Sequence, residues 1–136
     1  MENDRRANLL IVDDELSMRE FLELMLSQEG YIIDSAESGQ QAKTLLDQKG
    51  FDLILCDIRL GDISGLDVLR KAKSVQPDTI VIMISAYATA ENAVEAMNEG
   101  AYDYLPKPFD NDELKGTIDK ALELKTLSDE KRHLDD

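Results

Sequence analysis

Basic residues are scarce in this chain of 136 residues: 15 lysines and arginines stand against 29 aspartates and glutamates, for a formal net charge of -14. Such a chain repels a phosphate backbone and an anionic membrane surface alike, which excludes direct nucleic-acid binding and membrane docking as functions. Cysteine is nearly absent. Cys56 stands alone, so no internal disulfide can form, and its neighbours Leu53, Ile54 and Leu55 mark it as a small core residue rather than a reactive thiol. The single histidine, His133, lies in a charged tail with no second ligand beside it, which argues against a metal or imidazole site there. Long apolar runs are missing too: no segment has membrane-spanning length. The opening MENDRRANLLIV mixes charges with a short apolar stretch, where an export signal needs a basic start and an unbroken apolar core. The expectation is a cytoplasmic protein of one domain, since this length holds one real core but not two.

What is present is ordered. Strand-like runs begin near Asn8, Tyr31, Phe51, Thr79 and Tyr102, and each precedes a segment with helical spacing of apolar residues. Met18, Phe21, Leu22, Met25 and Leu26 mark the first helix, and Ala42, Leu45 and Leu46 the second. Leu66, Leu69, Ala72 and Val75 mark the third, Ala90, Ala93, Val94 and Met97 the fourth, and Leu114, Ile118, Ala121 and Leu122 the fifth. Gly30 and Gly50 stand where helix ends favour a left-handed residue, and DNDE reads as a capping box before the last helix. Five alternating β-α units predict an α/β fold with a parallel sheet and right-handed helical crossovers, and are too few for an eight-unit barrel. LLIV, LILC and IVIMI are continuously apolar, as strands covered on both faces are, while YIIDSA and YDYL mix in polar residues. The first, third and fourth strands are therefore expected inside the sheet and the second and fifth at its edges.

Open α/β sheets bind ligands beyond the carboxyl ends of their strands. Asp13 and Asp14 follow the first strand, Asp57 the third, Ser85 the fourth and Lys107 the fifth, so all five converge on one rim. Singly, an acid after a strand commonly serves as a helix cap or a solvated loop residue. Together they make a site. Carboxylates about 5 Å apart repel by roughly 3 kcal/mol at an effective dielectric near 20, a cost that a shared hard cation such as Mg²⁺ removes. Glu15 is placed instead at the start of the first helix, where the helix dipole favours an anion. A lysine and a hydroxyl beside such a cation suit a phosphoryl group, and with no base-paired serine or cysteine the nucleophile has to be a carboxylate. Asp57, alone on its strand end, is the candidate, and Asp13 with Asp14 the cation-holding pair.

IVDDE, LILCDIRL, MISAYA and YDYLPKPF together resemble the receiver domain of bacterial two-component response regulators, from about Leu9 to Leu124. The resemblance implies a flavodoxin-like, doubly wound sheet of five parallel strands in order 2-1-3-4-5. By position it implies that Asp13 and Asp14 hold Mg²⁺ and that Asp57 accepts a phosphoryl group from a sensor histidine kinase. It makes Arg59 the donor of a backbone carbonyl to the metal, Ser85 the switch hydroxyl, Tyr104 the switch aromatic and Lys107 the phosphoryl-pairing lysine, with a cis Lys107-Pro108 bond. The implied function is a phosphorylation-activated signalling switch, not a conventional enzyme, although it catalyses its own Mg²⁺-dependent aspartyl phosphorylation and dephosphorylation. Its changed surface would be the fourth helix, fifth strand and fifth helix, controlling an output module of transcriptional type. A receiver that docks on its own, or shuttles phosphoryl groups in a phosphorelay, is the alternative. One departure stands out: RLGDISG has Gly61 and Asp62 where many relatives have Pro-Gly, giving a freer turn and an added negative charge beside Asp57.

The tail LELKTLSDEKRHLDD keeps helical composition and resembles the linker to the ATPase module of nitrogen-regulation-type activators. The expected division is a receiver over 1–124 and the start of a linker helix over 125–136. Leu124, Leu127 and Leu134 at near-heptad spacing, broken by Lys131, suit either a solvated helix end or a short coiled coil pairing two chains, and the surface around the fourth helix also allows pairing. Two other families fit less well. A dehalogenase-type phosphatase needs a second acid two residues after its nucleophile, where this chain has Arg59. A flavodoxin needs a phosphate loop after the first strand, where Asp13, Asp14 and Glu15 would repel the ligand.

Overall fold

The computed structural model describes residues 6–135, with side chains as far as 126. Ten elements alternate: β1 (Asn8–Val12), α1 (Leu16–Gln28), β2 (Ile32–Ala36), α2 (Gly39–Gln48), β3 (Leu53–Asp57), α3 (Gly65–Val75), β4 (Ile80–Ser85), α4 (Ala90–Asn98), β5 (Asp103–Pro106) and α5 (Asn111–Asp135). All strand pairs are parallel, and the sheet order is β2-β1-β3-β4-β5. The fold class and the edge positions of β2 and β5 are as the apolar pattern predicts.

Side-chain alternation along the inner strands divides the core into two layers. Leu9 and Ile11, Leu53 and Leu55, and Ile82 and Ile84 pack with Leu22, Met25 and Leu26 of α1 and Leu114, Ile118 and Ala121 of α5. Leu10 and Val12, Ile54 and Cys56, and Val81 and Met83 face the other way, against Ala42, Leu46, Leu69, Ala72 and Ala96 from α2, α3 and α4. Every residue of the three inner strands' apolar runs thus has a layer to enter. Cys56 sits in the second layer, fully buried, where burial pushes its thiol well up and nearby Asp57 and Asp13 push it further. It is a core residue, as its neighbours imply.

Three expectations are corrected. Phe21 belongs to α1 but is 42% exposed, the buried face being Leu22, Met25 and Leu26. In α4 the buried residue is Ala96, while Val94 and Met97 are 59% and 48% exposed. Gly30 ends α1 at φ +95, but Gly50 has no positive φ, because α2 stops with an extended Lys49 instead of a left-handed turn. At the start of α5, Asp110 accepts the Glu113 N–H at 3.0 Å, the forward half of the expected capping box. Leu124 is exposed; Leu127, His133 and Leu134 lie outside the described side chains, and with them the test of the heptad. Among the described residues no helix is long and apolar enough to cross a membrane.

Helix α4 is held lightly. One buried side chain anchors it, and Thr89 caps it by accepting the Asn92 N–H at 3.0 Å. Thr89→Ala should weaken it by about 1 kcal/mol, seen as faster amide hydrogen exchange confined to α4. Unchanged exchange would show that the cap carries no weight.

Candidate functional site

Strand register assembles the site. Val12 pairs with Cys56 across β1 and β3, so the next residues, Asp13 and Asp57, emerge side by side. Ser85 pairs with Pro106 across β4 and β5, and the Lys107 N–H donates to the Ser85 carbonyl at 2.8 Å, bringing the lysine to the same rim. The Lys107-Pro108 peptide is cis.

The Lys107 ammonium donates to Asp13 Oδ2 and Asp57 Oδ2, each at 2.8 Å. These side chains are 9%, 0% and 10% exposed, so the group is largely shielded from water. The second oxygens are held by the chain: the Glu15 N–H donates to Asp13 Oδ1 at 2.9 Å and the Arg59 N–H to Asp57 Oδ1 at 3.0 Å. Asp14 is exposed at the mouth, and one oxygen from each of Asp13, Asp14 and Asp57 lies within 4.8 Å of the others. Burial raises Asp57 above the ordinary carboxylate value, against the lowering effect of its bonds to Lys107 and the Arg59 N–H. Burial also depresses Lys107, but the hydrogen bonds and charges of Asp13 and Asp57 outweigh it and leave the ammonium above its usual value. Three carboxylates against one ammonium leave an excess of negative charge, and hard oxygens converging from two loops suit a divalent cation of the Mg²⁺ or Ca²⁺ kind.

Ser85 is fully buried at the end of β4, and its Oγ accepts the Tyr87 N–H at 2.9 Å. Tyr104 is not part of the carboxylate cluster: it lies on β5, its ring packs against the layer beneath α2, α3 and α4, and its hydroxyl is buried with no hydrogen-bond partner among the described residues. The Arg59 guanidinium stacks over the Tyr87 ring, 4.0 Å from the centroid, linking the loops after β3 and β4. Glu15 is the N-cap residue of α1, without a side-chain cap bond.

One contributor went unrecognised in the sequence, and a second, Asp62, reads there only as an added charge beside Asp57. Arg19, one turn into α1, donates from a guanidinium nitrogen to the Asp13 carbonyl at 2.9 Å, bracing the loop that carries the acid pair. Its only sequence signal is a cation on the first turn after the acids. Asp62 does not point at Asp57; its carboxylate accepts the Gly39 and Gln40 N–H groups of α2, each at 3.0 Å, while Gly61 takes φ +84.

With this geometry in view, comparison with known proteins is direct. Residues 9–119 match the response regulator receiver domain. The chain is 41% identical over 115 residues to the transcriptional regulatory protein ZraR of Escherichia coli K12, covering 85% of this chain and 26% of ZraR. The structure of NtrX from Brucella abortus superposes with a TM-score of 0.88 at 34% identity, over 96% of this chain and 30% of that one. A response regulator protein from Burkholderia pseudomallei, solved with a phosphorylated aspartic acid, a calcium ion and citrate, gives a TM-score of 0.79 at 28% identity, over 90% and 72% of the two chains. The chain spans about a quarter of the length of the curated relatives it matches. The matches agree with the resemblance to receivers of nitrogen-regulation-type transcriptional activators, and by the match over most of its length the chain belongs to the response regulator receiver domain family.

Proposed function

We propose that the domain is a switch set by phosphorylation of Asp57, supplied by the phosphohistidine of a sensor kinase, and that in a longer protein it governs an output module of transcriptional type. The observation that carries this reading is the shared Lys107 ammonium between Asp13 and Asp57 beside an exposed Asp14. An Asp57 oxygen attacks phosphorus, the phosphorus–nitrogen bond breaks, and its electron pair leaves with the imidazole. Lys107 is placed to pair with a phosphoryl oxygen, and the Arg59 N–H keeps the other Asp57 oxygen oriented. Asp13, Asp14, Asp57 and the Arg59 carbonyl would hold Mg²⁺, whose chemistry is to neutralise charge on the transferring group.

Output would follow from Ser85 and Tyr104. The Ser85 oxygen accepts the Tyr87 N–H, and a phosphoryl group would offer the hydroxyl proton a charged acceptor. Tyr104 already lies inward with a buried hydroxyl lacking a partner among the described residues, a state that forfeits about 1–3 kcal/mol and is therefore easily tipped. The lightly held α4, with β5 and α5, is the surface such a shift would change, and a second copy or the output module is its expected partner. A cytoplasmic location fits this reading.

The test is intact mass after incubation with Mg²⁺ and a small-molecule phosphoryl donor. A single phosphoryl adduct is expected, absent with EDTA and absent in Asp57→Ala. An adduct that persists in Asp57→Ala would move the acceptor elsewhere, and a folded chain that takes none from donor or kinases would sink the reading.

A further inference from the structure

The Gly61-Asp62 departure has a structural counterpart at the start of α2. We propose that Asp62 is a positioning residue that fastens the β3–α3 loop to the N-terminus of α2, holding one wall of the carboxylate cluster in place before a cation arrives. The proposal rests on the reading of that cluster as a cation site.

A helix begins with backbone N–H groups that have no partner within it. In α2, Ser38 Oγ accepts the Gln41 N–H at 3.1 Å, which leaves the Gly39 and Gln40 N–H groups to be met from outside. Asp62 meets both, one oxygen to each, from more than twenty positions along the chain. The positive end of the helix dipole favours that anion. The two N–H groups hold the Asp62 carboxyl below its ordinary value, the Gly39 bond first and the Gln40 bond second.

The neighbours of Asp62 carry the contact both ways. Ile63 packs so closely on α2 that a Cβ at Gly39 would come within 2.3 Å of Ile63 Cγ1, so a larger residue there would displace the Ile63 side chain. On the other side, a Cβ at Gly61 would lie 3.5 Å from Asp14 Oδ2, so the loop backbone borders the exposed acid directly. Two residues earlier, the Arg59 N–H holds Asp57. Between Asp57 and α3 the chain is therefore tied to α2 at 62 and 63 and presents its preceding residues to the acids. Glycine at 61 gives the loop its φ of +84 and no side chain to restrain it, so Asp62 adds the tie to α2 beside the buried Leu60 and the Arg59–Ser64 backbone bridge.

A rival account is that Asp62 acts through charge alone, as one more anion near the cation. Alanine and asparagine separate the two, because both remove the charge and asparagine keeps one carbonyl acceptor for α2. In the 136-residue chain, Mg²⁺ affinity measured by calorimetry is expected to fall about tenfold in Asp62→Ala, the scale of outer-shell support to metal sites. Asp62→Asn should fall between that and wild type. Amide exchange at Gly39 and Gln40, followed in EDTA, should quicken in the same order. Equal Mg²⁺ affinities in the two variants, both below wild type, would assign the effect to charge and overturn the positioning role. So would faster exchange with unchanged Mg²⁺ affinity. A wild-type chain that binds no Mg²⁺ would overturn the cation reading itself, and this proposal with it.

Discussion

Lys107→Met should destabilise the metal-free chain by about 3–5 kcal/mol, the scale found when one partner of a buried ion pair is removed. Methionine keeps most of the side chain's bulk, so the loss isolates the ammonium. What it leaves is Asp13, with a side chain 0% exposed, and Asp57, with one 10% exposed, close together and without the cation that both touch at 2.8 Å. Mg²⁺ should return much of the lost stability, because a ligand bound only by the folded state stabilises it, and a divalent cation can do between these acids what the ammonium did. The effect of pH has a definite sign. Burial already raises Asp57, and the Lys107 bond is the largest influence opposing it. Without that bond the folded-state value rises further above the unfolded one, near 3.9. Such a group contributes stability that is complete below the unfolded value and is lost as pH rises through the folded value. The variant should therefore approach wild type near pH 4 and fall furthest behind it at neutral pH. Urea denaturation in EDTA at both pH values, then with Mg²⁺, checks all three statements. A variant as stable as wild type at neutral pH in EDTA would mean that water solvates the acids well enough without the lysine.

The site was legible because strand order and chemistry coincide in the sequence. LLIV, LILC and IVIMI each end where the side chains turn polar, and parallel strands bring those ends to one edge, so Asp13, Asp57, Ser85 and Lys107 could be placed together from their positions after the runs. Other features depend on separations that the local pattern does not encode. Asp62 reads as a loop acid, and its two bonds exist only because α2 begins beside the β3–α3 loop. The face of α4 was misread for a related reason. α2 and α3 already cover much of that side of the sheet, so α4 reaches the core only through the small side chain of Ala96, and its larger apolar residues stay outside. Gly50 shows the limit of composition, since a glycine after a helix can equally follow an extended exit such as that of Lys49. Tyr104 could be placed on the last strand from its neighbours, but whether its ring lies in or out is a matter of packing that no spacing reveals.

Gly65→Ala should be the most damaging single-atom addition to the domain, costing about 3 kcal/mol or more. Gly65 is the first residue of α3, directly after the Ser64 cap, a position where alanine would ordinarily favour a helix. Here the helix start lies against the end of β3. A Cβ would stand 2.0 Å from the Asp57 carbonyl oxygen, 2.9 Å from its carbon and 2.9 Å from Ile58 Cα. These are backbone atoms, so no rotamer change relieves the contact. The Gly65 N–H also donates to the Ile58 carbonyl at 2.7 Å, which prevents the helix from simply backing away. Relief has to come from moving Asp57 or the start of α3, and moving Asp57 disturbs its bonds to Lys107 and the Arg59 N–H. Weaker Mg²⁺ binding should therefore accompany the lost stability. Gly50→Ala is the control, because nothing lies within 4 Å of a Cβ there and its φ is not positive. It should be neutral or stabilising by about 0.5 kcal/mol through reduced freedom of the unfolded chain. Urea denaturation of the two variants measures steric cost against chain entropy. A Gly65→Ala protein within 0.5 kcal/mol of wild type would show that α3 can shift without strain, and the close contact behind Asp57 would then not be what fixes the aspartate's place.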